Sequence, residues 1–287
     1  MLGWLAPYGL QEPRQRAKLG ANTAERMRVR QEVMRRAEAA LEGADQQRFT
    51  YERAIASLVA DGLEEQEVRF GSIPEESLAF IAKELETRVG GPRALALHVG
   101  NFVGVSLAHL TDTLRSVSPG AVVVSVDPGM PHRGIEEPAR VALGLLDRFG
   151  LTANSIVVSG FSEGKSARDD GLERAEVGEP SLIDATDMAA QMTGDAGCTF
   201  VLRNLAAILA GRFDVAVLDG THEAGYLKTE IADVQQLLRP GGLLVLDDAT
   251  PGEWQEINDV FEDLASGDAA FERVAYDGRV GILARLS

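Results

Sequence analysis

The sequence predicts an α/β domain, a doubly wound and mostly parallel sheet closing in a C-terminal antiparallel hairpin, preceded by a helical N-terminal extension. Three observations predict it. Short runs of Val, Leu and Ile at residues 94–99, 121–126, 155–159, 215–218 and 243–246 alternate with sequence of helical period. Continuous apolar strands set between helices suit a parallel sheet covered on both faces. Residues 271–276 and 280–286 flank Asp277-Gly278, a turn dipeptide, so the last two strands read as a hairpin. Ahead of all these, residues 1–90 carry helical spacing and no strand pattern.

Taken in order, residues 1–90 read as the extension and residues 91–287 as the sheet domain. Within 22–41, Met27, Val33, Met34, Ala37 and Leu41 fall near helical spacing, with Arg26, Arg28, Arg30, Arg35 and Arg36 between them. That basic run reads as a solvated helix face; a phosphate- or partner-docking face is the alternative. Residues 51–63, with Ile55, Leu58 and Val59, form a second amphipathic segment. Ser72 and Glu75 have capping-box spacing around Pro74 and open a helix to about Arg88, which Gly90, Gly91 and Pro92 end. Residues 163–197 are polar and acidic, too long for a simple connection, and read as an insertion or lid. A second capping box, Thr250 with Glu253 and Pro251 between, opens the helix after the fifth strand.

Composition narrows the partners. With 287 residues, 45% hydrophobic and 25% charged, the chain can bury a full core. A formal charge of −16 argues against a nucleic-acid partner, because an acidic surface repels phosphate. Cys198 is the single cysteine, which fits a reducing cytoplasm and excludes an intrachain disulfide framework. No basic region followed by a long apolar run opens the sequence, and no stretch reaches a membrane-span length. A cytoplasmic protein without a membrane partner is expected, with a homodimer plausible through the exposed N-terminal helices.

The motifs sit where the predicted strands end. In an open parallel sheet, ligands bind beyond the carboxyl ends of the strands, where the strand order reverses. There the chain reads His98, Val99, Gly100, Asn101, Phe102, Val103, Gly104, Val105 and Ser106. Gly100 permits a sharp turn, and Gly104 a close helix–strand approach. Phe102 replaces the middle glycine that lets backbone approach a pyrophosphate, which disfavours a nicotinamide dinucleotide. An adenosine without a pyrophosphate tolerates the side chain. The second strand ends in Asp127, whose carboxylate can accept from both hydroxyls of a ribose, and Ser162 and Glu163 after the third can edge an adenine.

On these residues the chain resembles the class I S-adenosylmethionine-dependent methyltransferases, from about Ala94 to the C-terminus. Within that class it is similar to the metal-dependent O-methyltransferases, the catechol, caffeoyl-CoA and macrocin-type enzymes. The resemblance implies a Rossmann-like fold, S-adenosylmethionine as cofactor and a cofactor site at His98, Gly100, Asn101, Gly104, Ser106, Asp127, Ser162 and Glu163. His98 stands where that family often carries an acid.

Asp219 ends the fourth strand and Asp247 and Asp248 the fifth. Three carboxylates brought to one edge repel unless a cation binds or protons are retained. Oxygen ligands without a nearby cysteine suit a hard ion such as Mg²⁺, and the resemblance implies the same metal set. The predicted capping box at Thr250 leaves Asp247 and Asp248 without a capping duty. His222, three residues after Asp219, can take a proton from an acceptor hydroxyl, and the family places a base at this offset. The function expected is methylation of a hydroxyl on a small polyhydroxylated acceptor, a sugar or natural product, with Asp219 and His222 catalytic. A metal-independent methyltransferase and a non-catalytic ligand- or partner-binding module remain as alternatives.

Overall fold

The structure, a computed structural model, describes residues 49–163, 201–220, 222–266 and 270–286. The predicted helix at 22–41 and all of the predicted insertion beyond Glu163 lie outside the described residues. Those described belong to the compact unit Arg48–Ser287.

Three helices come first, α1 (Tyr51–Ala60), α2 (Glu65–Phe70) and α3 (Glu75–Arg88). The alternating part follows as β1 (Leu95–Val99), α4 (Val105–Val117), β2 (Val122–Asp127), α5 (Pro138–Arg148) and β3 (Ser155–Ser159). Then come α6 (Val201–Leu209), β4 (Phe213–Leu218), α7 (Ala224–Leu237), β5 (Leu238–Leu246), α8 (Gln255–Ala265), β6 (Phe271–Tyr276) and β7 (Gly281–Arg285). One seven-stranded sheet has the order β3-β2-β1-β4-β5-β7-β6, with β7 antiparallel to both neighbours. The order reverses between β1 and β4, which creates the crevice where such sheets bind ligands.

Strand alternation divides the core. Ala96, Val123, Val215, Val245 and Ile282 face Leu85, Leu114 and Leu145 from α3, α4 and α5. Leu97, Val124, Ala216, Leu244 and Leu283 face Leu202, Val234 and Phe261 from α6, α7 and α8. With both faces covered, each strand is apolar throughout, the pattern read in the sequence. Helices α1 to α3 and the turn before α3 share the first of these cores through Ile55, Leu58, Val68, Ile73 and Leu78, so the described part of the region read as an extension, residues 49–90, packs against the sheet layer. Among the described residues no helix is long and apolar enough to cross a membrane.

Neither predicted capping box forms. Helix α3 starts at the expected place, but Ser72 Oγ donates back to the Val68 carbonyl at 2.8 Å and no side chain caps the helix. Helix α8 begins at Gln255, after a turn in which the Gly252 N–H donates to Gln255 Oε1 at 3.0 Å. The serine and threonine oxygens find nearer backbone or lie a turn too early, and the spacing alone does not show this. Thr50, by contrast, caps α1, accepting from the Arg53 N–H at 3.3 Å.

Candidate cofactor and acceptor site

The strand registers bring the predicted residues to one rim. Val99 lies beside Val126 on one side and Leu218 on the other, and Leu218 beside Leu246. The next residues along, Gly100, Asp127, Asp219 and Asp247, therefore follow neighbouring strand ends. The glycine loop and the acids touch. Gly100 has φ +87°, and a methyl there would lie 1.9 Å from the Asp219 carbonyl oxygen, so only glycine fits. At Gly104 a methyl would come within 2.8 Å of Ala142 Cβ, where α4 passes α5.

Phe102 keeps the backbone of the glycine it replaces, with φ 45°. Such a conformation costs a side-chain-bearing residue about 1–3 kcal/mol. Its ring supplies the compensation: it meets His132 edge-on at 5.5 Å and packs so closely on Gly71 that a methyl there would approach the ring to 2.3 Å. The loop is thereby anchored to the segment joining α2 and α3.

Asp127 binds this loop into position. Its Oδ2 accepts from the Asn101 N–H at 2.6 Å and its Oδ1 from the Gly129 N–H at 2.6 Å. A carboxylate has further lone pairs, so ribose hydroxyls can still be accepted. The Asn101 side chain is buried and accepts from the Ser125 hydroxyl, while its carbonyl accepts from the Gly104 N–H at 2.7 Å.

His98 and Ser106 do not join that rim. Both are buried and line a small internal cavity with Ile73, Leu78 and Leu110, behind the loop. His98 shares the strand parity of Ala96, which faces the helices, and burial pushes its imidazole down to about 4, so it is neutral. Of the residues read as the cofactor site, these two side chains thus line the interior cavity.

After β3, Ser162 and Glu163 turn inward as well. The Ser162 hydroxyl lies 3.0 Å from the Tyr226 hydroxyl and contacts Glu230, and the Glu163 N–H donates to Tyr226 Oη at 3.0 Å. The Glu163 carboxyl is buried and is pushed up to about 7 by burial and then by Asp233. Adenine recognition by this segment would fall to its backbone. Tyr226, buried on α7, holds the segment through its hydroxyl, and no motif in the sequence signals that contact.

Asp219, Asp247 and Asp248 lie close enough to act on one another. Burial first, then Asp247 and Asp248, hold the Asp219 carboxyl well above the usual range. Burial raises Asp247 too, against the opposing pull of Arg279. That arginine was not anticipated. Its Nε and Nη2 lie 2.9 and 2.7 Å from the two oxygens of Asp247, and Nη2 is 2.8 Å from Asp248 Oδ1. His222 Nε2 contacts Asp248 Oδ2, and the imidazole stacks on Trp254 at 4.2 Å with 25° between planes. Asp248 itself sits at φ 56°, turned back toward the rim.

Do these residues suit a hard divalent ion? The donors are of the right kind, and no well-formed hydrogen bond reaches the buried Asp248 Oδ1 despite the nearby guanidinium. As arranged, the acids close on Arg279, and no group of three His, Cys, Asp or Glu among the described residues stands around a common metal position. The set fits a metal in chemistry, with the guanidinium in its way. For a nucleoside, the left-handed glycines, the bare start of α4 and Asp127 make a fitting cradle.

The strand order, the glycine loop and an acid at the end of β2 define a Rossmann-like protein of the kind that binds an adenosine cofactor. The family described as "Methyltransferase domain" matches residues 97–249, more than half of the chain. The chain belongs to that family and is an S-adenosylmethionine-dependent methyltransferase. No curated protein sequence matches it. Among solved structures it is similar to a methyltransferase of Podospora anserina bound to S-adenosylhomocysteine, at 12% identity and TM-score 0.51, over 100% of each chain. It is also similar to a methyltransferase of Geobacter sulfurreducens, at 16% identity and TM-score 0.49, over 88% of this chain and 96% of that one. A third, MycE of the mycinamycin biosynthetic pathway in complex with Mg, S-adenosylhomocysteine and mycinamycin VI, is 14% identical with TM-score 0.44, over 84% of this chain and 56% of that one. At such identities the likeness is one of fold.

Proposed function

We propose that this methyltransferase acts on a hydroxyl oxygen of a small polyhydroxylated acceptor, a sugar or natural product in the cytoplasm. In this reading Asp219, Asp247 and Asp248 hold a divalent cation such as Mg²⁺, and His222 is the general base. Gly100, Gly104, the main chain of Asn101 and Asp127 hold the cofactor. One observation carries the reading: an imidazole stacked on Trp254 and fixed by Asp248 stands beside a carboxylate cluster that abuts the cofactor loop.

S-adenosylmethionine supplies a methyl on a sulfonium, and a bound divalent cation lowers the pKa of an acceptor hydroxyl. The protein's own groups do the rest. Bonded to Asp248 through Nε2, His222 keeps its proton on that nitrogen and leaves the Nδ1 lone pair to accept the hydroxyl proton. Trp254 fixes the ring plane. As the oxygen–carbon bond forms and the sulfur–carbon bond breaks, opposite charges cancel, so the site's main task is alignment and exclusion of water.

Arg279 favours a second reading, methyl transfer without metal, because it already neutralises part of the cluster. Calorimetric titration with S-adenosylhomocysteine, followed by turnover on a panel of glycosides and catechols with and without chelator, separates the two. Expected results are cofactor binding with or without Mg²⁺, methylation lost on chelation, and both metal binding and turnover abolished by D247A together with D248A. Undiminished turnover in that double variant selects the metal-free reading.

A further inference from the structure

We propose that Arg279 is a displaceable counter-cation: its guanidinium holds the Asp247–Asp248 pair in the metal-free protein and swings to solvent when a divalent ion enters. The proposal rests on the metal-binding reading given above.

Arg279 spans both oxygens of Asp247 and touches Asp248 Oδ1, and His222 takes Asp248 Oδ2. Every oxygen of the pair is therefore turned to another side chain, and a cation approaching Asp247 meets the positive charge of Arg279. Its charge is also insufficient. One guanidinium against the carboxylates of Asp219, Asp247 and Asp248 leaves a formal excess of two negative charges. A divalent ion in the guanidinium's place would reduce that excess to one.

The fold permits the exchange. Arg279 stands on the β6–β7 turn, where Asp277 Oδ1 accepts from the N–H groups of Arg279 at 2.8 Å and Val280 at 2.7 Å. The turn's backbone is thus held independently of the guanidinium. The Arg279 side chain is 34% exposed while that of Asp247 is 2% exposed, so the cation has a path to water and the carboxylate has none. Without some cation the buried carboxylates would be stranded, a strongly destabilising arrangement. A resident arginine lets the site persist between metal-binding events.

The test is calorimetric titration of Mg²⁺ into the full chain saturated with S-adenosylhomocysteine, for the wild type, R279A and R279K. R279A should bind Mg²⁺ about tenfold more tightly, the change expected from removing one competing ion pair, with R279K between. Metal-free R279A should melt below the wild type, and Mg²⁺ should raise its melting temperature more. Equal or weaker Mg²⁺ binding by R279A, with the wild type still binding, overturns the proposal and leaves the metal reading intact. No Mg²⁺ binding by any of the three proteins removes both. Unchanged S-adenosylhomocysteine affinity checks the fold, and if R279A does not fold, R279Q, which loses the charge and keeps a donor, carries the same comparison.

Discussion

At the scale of single residues, His222 and Glu163 show how ionisable side chains take different duties from their surroundings. His222 is held at an open edge between Asp248 and Trp254, where an imidazole can exchange a proton with an acceptor. H222A should lower kcat by about 10²–10⁴, the usual worth of a general base, while calorimetry finds S-adenosylhomocysteine affinity unchanged. Glu163 is sealed in beside Asp233 and has its carboxyl raised from 4.5 to about 7. The folded protein then retains a proton that the unfolded chain has released, so stability is greatest on the acid side and falls as pH rises from about 4.5 to about 7. E163Q removes the titrating group. Its melting temperature should vary less than the wild type's across that window, and an unaltered pH profile would show that the carboxyl is not protonated in the fold.

Elements set which residues meet. Because β1 and β4 are neighbours in register, the first residue past β1 lies against the Asp219 backbone, and that contact makes Gly100 obligatory. G100A should weaken S-adenosylhomocysteine binding at least about tenfold, since a left-handed alanine and a backbone clash together cost about 2 kcal/mol or more. G90A, where an added methyl meets nothing, is the control in the same titration and should bind normally. Element identity was legible in the sequence because strand runs and helix periods are local. The ends were less so: α3 and α8 start without the side-chain caps their Ser and Thr spacing suggested, since the Ser72 hydroxyl bonds back to Val68 and α8 begins well after Thr250.

Across the whole molecule, the helices before β1 are part of the domain's core. Ile55, Leu58, Val68, Ile73, Leu78, Ile81 and Leu85 are buried there. At about 1.5–3 kcal/mol for each large apolar side chain, their burial is worth on the order of 10 kcal/mol, comparable with a domain's entire net stability. A chain starting at residue 91 should therefore fail to give a cooperative thermal transition; a normal melt would mean that the sheet is self-sufficient. These helices also reach the cofactor loop, because Phe102 rests on Gly71 between α2 and α3. Disturbing them should disturb cofactor binding.

Taken alone, the sequence determined the order of elements, the parallel sheet with its terminal hairpin, the rim position of Gly100, Asp127, Asp219 and Asp247, and the proximity of His222 to the acids. Periodicity and motif spacing are properties of neighbouring residues, so a reading along the chain recovers them. Only the tertiary structure decided that His98 and Ser106 face the interior, that Tyr226 grips the segment after β3, and that Arg279 sits among the aspartates. Arg279 and Asp247 are 32 positions apart, and nothing local marks one arginine out of many as their partner. Their meeting follows from the β6–β7 hairpin lying beside β5, and long-range pairing of that kind is fixed by the folded sheet.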